Sequence, residues 1–354
     1  MKLACKYILF LVSVFIQSCV DPISFETDSV GGDLVFYGNF TQLDEPHIIS
    51  ISKTTEFGKL PAPVSGATII IMDDLANCAE YQEIDLGKYQ LSAGEMPGVP
   101  GRSYYVEILL ADGRTYFTQP QIMPEPVEIE DVYFEIESRQ ILSSSDVLVD
   151  KTFIDVYIDT PLPNIADGST HLRWSVEEVY SFVDRSCGPL DGSKQCYFID
   201  PVDESELILF ENESGAQNFI RGLNVRSRLL VPYDEFTARH YFIVHQFTIS
   251  DEEVDYWNRI ETVVNQSGNF LDVQPARVVG NIIEKGNEQV GVLGYFGVNG
   301  QSVLRTFTTP DDIRPNPVFS CNDESFFSEH LPECCFCGAK EGIQIERPAY
   351  WDED

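Results

Sequence analysis

Basic side chains are scarce in this sequence. Across 354 residues, 23 lysines and arginines stand against 57 aspartates and glutamates, a formal net charge of −34 at pH 7. A surface of that sign repels phosphate backbones and anionic headgroups, which excludes nucleic acid as a partner. The acidic residues are spread along the chain and form no tail, so they read as a solvated exterior that can also attract cations or basic peptides. Long apolar runs are missing beyond the first residues: no later segment approaches the ~18 uninterrupted apolar positions of a membrane-spanning helix. Catalytic signatures are missing as well. There is no G-x-S-x-G elbow, H-E-x-x-H helix, P-loop or dinucleotide-binding glycine set. Histidine is rare, with five in the chain. His240 and His245 lie five apart in a strand-like segment, which puts them on opposite faces and unable to share a metal. Paired carboxylates such as Asp73-Asp74, Glu252-Glu253 and Asp311-Asp312 lack the alternating, glycine-containing order of a calcium loop. Without a constellation of mutually placed groups, the expectation is a protein that is no enzyme and carries no cofactor or metal.

What is present begins at the N-terminus. The stretch MKLACKYILFLVSVFIQSC sets Lys2 and Lys6 before an apolar run from Tyr7 to Ile16, the pattern of a secretory signal over residues 1–18. Ile16-Gln17-Ser18-Cys19 resembles a bacterial lipobox, making Cys19 the expected lipid attachment site. Residues 19–30 are then a tether, and acyl chains hold a soluble body at the membrane. Such a protein matures where thiols oxidise. With Cys5 removed and Cys19 acylated, seven of the nine cysteines remain. Cys187 and Cys196 flank the turn-rich GPLDGSKQ and are expected to pair. Cys321, Cys334, Cys335 and Cys337 form an even C-terminal group with three connectivities, in which two bridges are expected, Cys321 joining one of the other three. Four clustered thiols can also make a zinc site, but the C-x12-C-C-x-C spacing lacks paired C-x2-C hooks. Cys78 is left alone.

Between these ends the chain reads as mainly β. From residue 31 to 120, short strands alternate with turns, a spacing that predicts an Ig-like β-sandwich. In SYYVEILLADGRTYFT, Asp112-Gly113 predicts a type I′ hairpin, with Tyr104, Val106, Ile108 and Leu110 on the core face. A Pro-rich segment, 121–131, reads as an extended linker. Residues 132–309 form a larger β-rich body with strands at DVYFEI, TFIDVYID, HLRWSVEEVYSF, CYFID, SRLLV, RHYFIVHQFTIS, ARVVGNII and VLGYFGV. A helix over 251–266 interrupts them. Ser250 caps it, Glu253 completes an S-x-x-E box, and Val254, Trp257, Ile260 and Val264 share its apolar face, making Trp257 a core residue. The irregular tail, 310–354, is expected to dock through Tyr350 and Trp351 and to be held by its cysteines.

The segments APVSGATIIIMDD, GKYQLS and GVPGRSYYVEILLADGRTYFT together resemble the transthyretin-like, carboxypeptidase-regulatory type of sandwich domain. The chain as a whole resembles uncharacterised lipoproteins of Bacteroidota encoded beside TonB-dependent outer-membrane receptors, through RHYFIVHQFTISDEEVDYWNRIETVVNQSGNFLDVQPARVVGNI, VLGYFGV and the cysteine group before RPAYW. That resemblance implies an outer-membrane, cell-surface lipoprotein that serves a TonB-dependent receptor in uptake as a ligand-binding or accessory partner. The other reading is a structural or assembly lipoprotein that captures no solute. The resemblance supplies no catalytic residue.

Overall fold

Alternation of apolar and polar residues along LVFYGNFT and HIISISK buries every second side chain and sets up an antiparallel pair, β1 (Leu34–Thr41) and β2 (His47–Lys53). The computed structural model describes residues 32–56, 59–143, 145–163, 169–184, 194–200, 207–212, 217–230, 234–264, 277–287, 291–317, 343–344 and 346–351. After β1 and β2 come a two-residue β3 (Ala62–Pro63), then β4 (Thr68–Asp73), β5 (Cys78–Asp85), β6 (Lys88–Leu91), β7 (Ser103–Leu109), β8 (Thr115–Thr118) and a two-residue β9 (Gln121–Ile122). Next are β10 (Asp131–Leu142), β11 (Leu148–Pro161), β12 (Thr170–Asp184), β13 (Lys194–Asp200), β14 (Ile208–Asn212) and β15 (Phe219–Leu229). A 3-10 turn (Asp234–Phe236) leads into β16 (His240–Ile249) and the helix α1 (Asp251–Val264), followed by β17 (Val279–Glu284), β18 (Gly291–Thr308) and β19 (Ile343–Gln344). No helix among the described residues is long and apolar enough to cross a membrane.

The mainly β character is as expected, but the N-terminal strands do not make a sandwich of their own. Seven of them run β1-β2-β6-β5-β4-β7-β8, and β17 and β18 complete a ring of nine: β17 bonds to β8, β18 to β17, and β18 lies parallel to β1 from Leu293↔Val35 to Asn299↔Thr41. Alternation alone cannot distinguish a sandwich from a closed ring, because both bury one face of every strand. The ring is filled by Phe36, Phe40, Ile49, Ile69, Ile71, Tyr89, Tyr104, Val106, Tyr116 and Phe296. Tyr104, Val106, Ile108 and Leu110 do face this core, while Leu109 is 47% exposed. The 110–114 hairpin differs in type from the expected one. Gly113 NH bonds to Leu110 O at 2.9 Å and Leu110 NH to Arg114 O at 2.9 Å, with Gly113 alone at φ +89°. That is a three-residue loop, a type I turn followed by a left-handed glycine, whereas type I′ needs positive φ at both central residues.

Beyond Asn299, β18 leaves the ring and pairs with β16, from Thr248↔Gly300 to His240↔Thr308. β16 pairs with β12, which carries β13 at one end and β14 at the other. A separate three-stranded sheet, β10-β11-β15, covers one face of this layer. Ile154, Val156 and Ile158 from β11 meet Leu172 and Trp174 from β12 and Phe242 and Val244 from β16 in a dry core. The Pro-rich segment is extended, as its prolines dictate, and packed: Met123, Val127 and Ile129 are buried. The Val127 and Ile129 amides donate to Thr248 Oγ1 (3.0 Å) and Ser302 Oγ (3.1 Å).

Candidate functional site

The free face of the β12-β16-β18 layer carries the odd-numbered residues, and its two ends are covered differently. At one end Trp351 packs on Tyr241 and Tyr197, with ring centroids 5.1 and 4.8 Å apart, and its carbonyl accepts the Tyr241 hydroxyl at 2.8 Å. Tyr350 adds an edge contact to Tyr241 at 5.4 Å. The two terminal aromatics thus lie where docking was expected. At the other end α1 lays Val254 and Trp257 against Phe247, Ile249 and Tyr295, making Trp257 a core residue as its periodicity indicates. Between these lids, the sheet face and the outer wall of the ring at Tyr37, Asn39 and Ile48 line an open cavity of about 400 Å³. That volume suits a small-molecule ligand.

Strand register sets the rows of this cavity. Arg173 stands opposite Phe247, Ser175 opposite His245, and Glu177 opposite Ile243. On the other side of β16, Gln301 is opposite Phe247. Arg173 is 7% exposed, and its guanidinium sits over two rings, 4.5 Å from Phe247 and 4.8 Å from Trp257. Its buried Nε has no hydrogen-bond partner among the described residues, with Glu253 Oε1 4.0 Å away. A buried guanidinium N–H in such a place is left unanswered.

Glu253 explains part of this arrangement. Its amide donates to Ser250 Oγ at 3.2 Å, so the first half of the expected capping box is made. Its side chain, however, does not turn back to the cap. It is 2% exposed and accepts Trp257 Nε1 at 3.0 Å. Asn299, in the amide orientation that satisfies both its polar atoms, donates to Glu253 Oε2 at 2.8 Å. Burial pushes the Glu253 carboxyl up, against the pull of Arg173, Trp257 and Asn299.

At the opposite side of the cavity are two further carboxylates, Glu45 in the β1–β2 turn and Glu177 on β12. Burial pushes both up, and for Glu177 the charge of Glu45 adds to the rise. His245 lies between the poles. Gln301 Nε2 donates to its Nδ1 at 3.0 Å, which leaves the imidazole proton on Nε2. Burial, with Arg173 adding, pushes this histidine down to about 4, so it is neutral at ordinary pH.

His240 does fall on the opposite face from His245, buried in a second polar cluster. Its Nε2 is 3.0 Å from Glu178 Oε2, and Arg226 and Arg228 reach the same carboxylate at 2.8 and 2.7 Å. Burial raises the Glu178 carboxyl, but the His240 hydrogen bond and the charges of Arg228 and Arg226 outweigh it and hold the group below its usual range. This cluster ties β12, β15 and β16 together. Asp73 and Asp74 share Arg102, at 2.7 and 2.8 Å, and Asp73 also accepts the Leu75 and Asn77 amides, as a turn cap does. Among the described residues no group of three or more His, Cys, Asp or Glu is placed to hold a metal ion.

Most cysteines named from the sequence lie outside the described residues: Cys19, Cys187, Cys321, Cys334, Cys335 and Cys337. Cys196 is buried and disulfide-bonded, and Cys78 is free and exposed. Sequence reasoning did not single out Arg173, Glu45, Glu177 or Gln301. The available signal was the one arginine inside HLRWSVEEVYSF, but the ring wall that faces it comes from a strand pair more than a hundred residues earlier.

A family model described as a domain of unknown function, DUF4249, matches residues 20–305. The chain belongs to that family. Every cavity residue named here lies within the matched range. No curated protein matches the chain. Among solved structures, it is similar to a cycloalternan-degrading enzyme from Trueperella pyogenes at 12% identity and a TM-score of 0.16, over 77% of this chain and 32% of the enzyme. The chain spans about a third of that enzyme's length, and a likeness this slight carries no argument about the DUF4249 chain.

Proposed function

We propose that this protein is a non-enzymatic, outer-membrane-anchored lipoprotein that binds a small ligand as the accessory partner of a TonB-dependent transporter. The cavity is the observation that carries the reading: it is walled by aromatic rings and holds charged groups of both signs at opposite sides. The lipobox-like Ile16-Gln17-Ser18-Cys19 supports the anchor. The resemblance of the chain as a whole to lipoproteins encoded beside such receptors supports the partner. A tagged full-length copy purified in mild detergent should bring a TonB-dependent barrel with it, as identified by mass spectrometry. Cys19→Ala should release the protein from the membrane fraction. Recovery of assembly factors in place of a barrel would favour the structural reading.

A further inference from the structure

We propose that the cavity binds a short peptide of about two to four residues by its two charged ends, the carboxylate on Arg173 and the ammonium between Glu45 and Glu177. The inference rests on the ligand-binding reading above and does not depend on the transporter.

Arg173 carries the first half. It is more than nine-tenths buried, its Cζ lies over the Phe247 and Trp257 rings, and it has an unanswered donor beside the cavity. A guanidinium presents its donors in a planar fork that grips a carboxylate in two parallel bonds. Glu253 does not supply that grip, because 4.0 Å is beyond hydrogen-bond distance and its oxygens are engaged by Trp257 and Asn299.

The second half comes from the far wall. Glu45 and Glu177 arrive from different parts of the fold to line the same cavity. Burial weakens both as acids, and Glu45 does so further to Glu177, a cost that a cation between them would relieve. The next basic group along the face, Arg305, opposite Ile243 on β18, is turned over the Tyr350 ring at 4.8 Å.

Spacing then selects the ligand. Arg173 and Glu177 are four residues apart on one strand, about 13 Å between Cα atoms. That span favours an extended peptide of a few residues over a free amino acid. Between the poles, neutral His245, Gln301 and Ser175 offer donors and acceptors suited to peptide groups. A polyanion would meet the two glutamates, and an uncharged sugar would leave both poles unanswered.

The test uses full-length Cys19→Ala protein and trialanine as probe, with calorimetry and Trp fluorescence as readouts. Trialanine should bind with a dissociation constant in the millimolar range or tighter. N-acetyl-trialanine and trialanine amide should each bind at least tenfold more weakly. Glu177→Gln, on the half-buried rim, should erase the penalty for acetylation and keep the penalty for amidation. Arg173→Gln, if its thermal unfolding stays cooperative, should do the reverse. No binding of trialanine to the folded protein at millimolar concentration, or equal binding of all three peptides, would overturn the proposal. Co-purification with a barrel is a separate measurement, so failure of one leaves the other standing.

Discussion

Gly294 shows how much one residue can control. It adopts φ +87° on β18, and a Cβ there would overlap the Phe36 backbone of β1, across the parallel seam that closes the ring. Gly113 has nearly the same φ, +89°, but nothing lies within 4 Å of its missing Cβ. Gly113→Ala should therefore cost only the left-handed penalty, about 1–2 kcal/mol. Gly294→Ala adds steric overlap at a backbone that cannot yield and should cost at least about 3 kcal/mol. Equilibrium urea denaturation of the two variants separates strain from overlap. His47 supplies the pH term. It is 5% exposed, its ring edge-on to Phe40 at 4.8 Å, and burial pushes it from 6.5 down to about 4. Between those values the unfolded chain takes up a proton that the native state refuses. Stability present above pH 6.5 is lost as pH falls towards 4, by an amount on the order of 3 kcal/mol. His245, pushed down to about 4 as well, adds to the same limb, so His47→Gln should make it shallower without abolishing it when urea midpoints are followed from pH 7 to pH 4.

Elements differ in how plainly the sequence announces them. α1 was legible because its cap, apolar stripe and three acidic residues in the first turn agree. Ser250→Ala should remove the cap bond and cost about 1 kcal/mol, measured by chemical denaturation with α1 otherwise intact. The fate of the Glu253 side chain was not legible. A capping box is a local pattern, while its real partners, Trp257 and Asn299, depend on where β18 passes. β18 itself was read short, ending at VLGYFGV, although it continues to Thr308. Asn299-Gly300 looks like punctuation in one dimension. In three, Gly300 lets β18 pass the Pro-rich segment, since a Cβ would stand 2.7 Å from Pro124 O and from Pro126 N. The cavity was illegible for the same reason: β12 pattern shows an alternating strand, and only tertiary packing shows that Arg173 and Glu177 face a chamber.

At the scale of the whole molecule, the ring and the sheet layer are one hydrogen-bonded system, because β18 serves both in turn. Residues 31–120 alone contain seven ring strands and lack the two that seal β1 to β8. Expressed as a fragment, they should expose two open edges, β1 and β8, and aggregate or remain unfolded. A dispersed, native-like proton–nitrogen correlation spectrum of that fragment would refute this. The seam also imposes an order in time. Val35, near the start of the chain, finds its parallel neighbour only when Leu293 has been made. Pairings so distant in sequence form slowly, and until then the open edge of β1 must be kept from other chains. The strand made earliest is thus among the last to be completed, and a cell producing this protein must shelter an unfinished edge through most of the chain's synthesis.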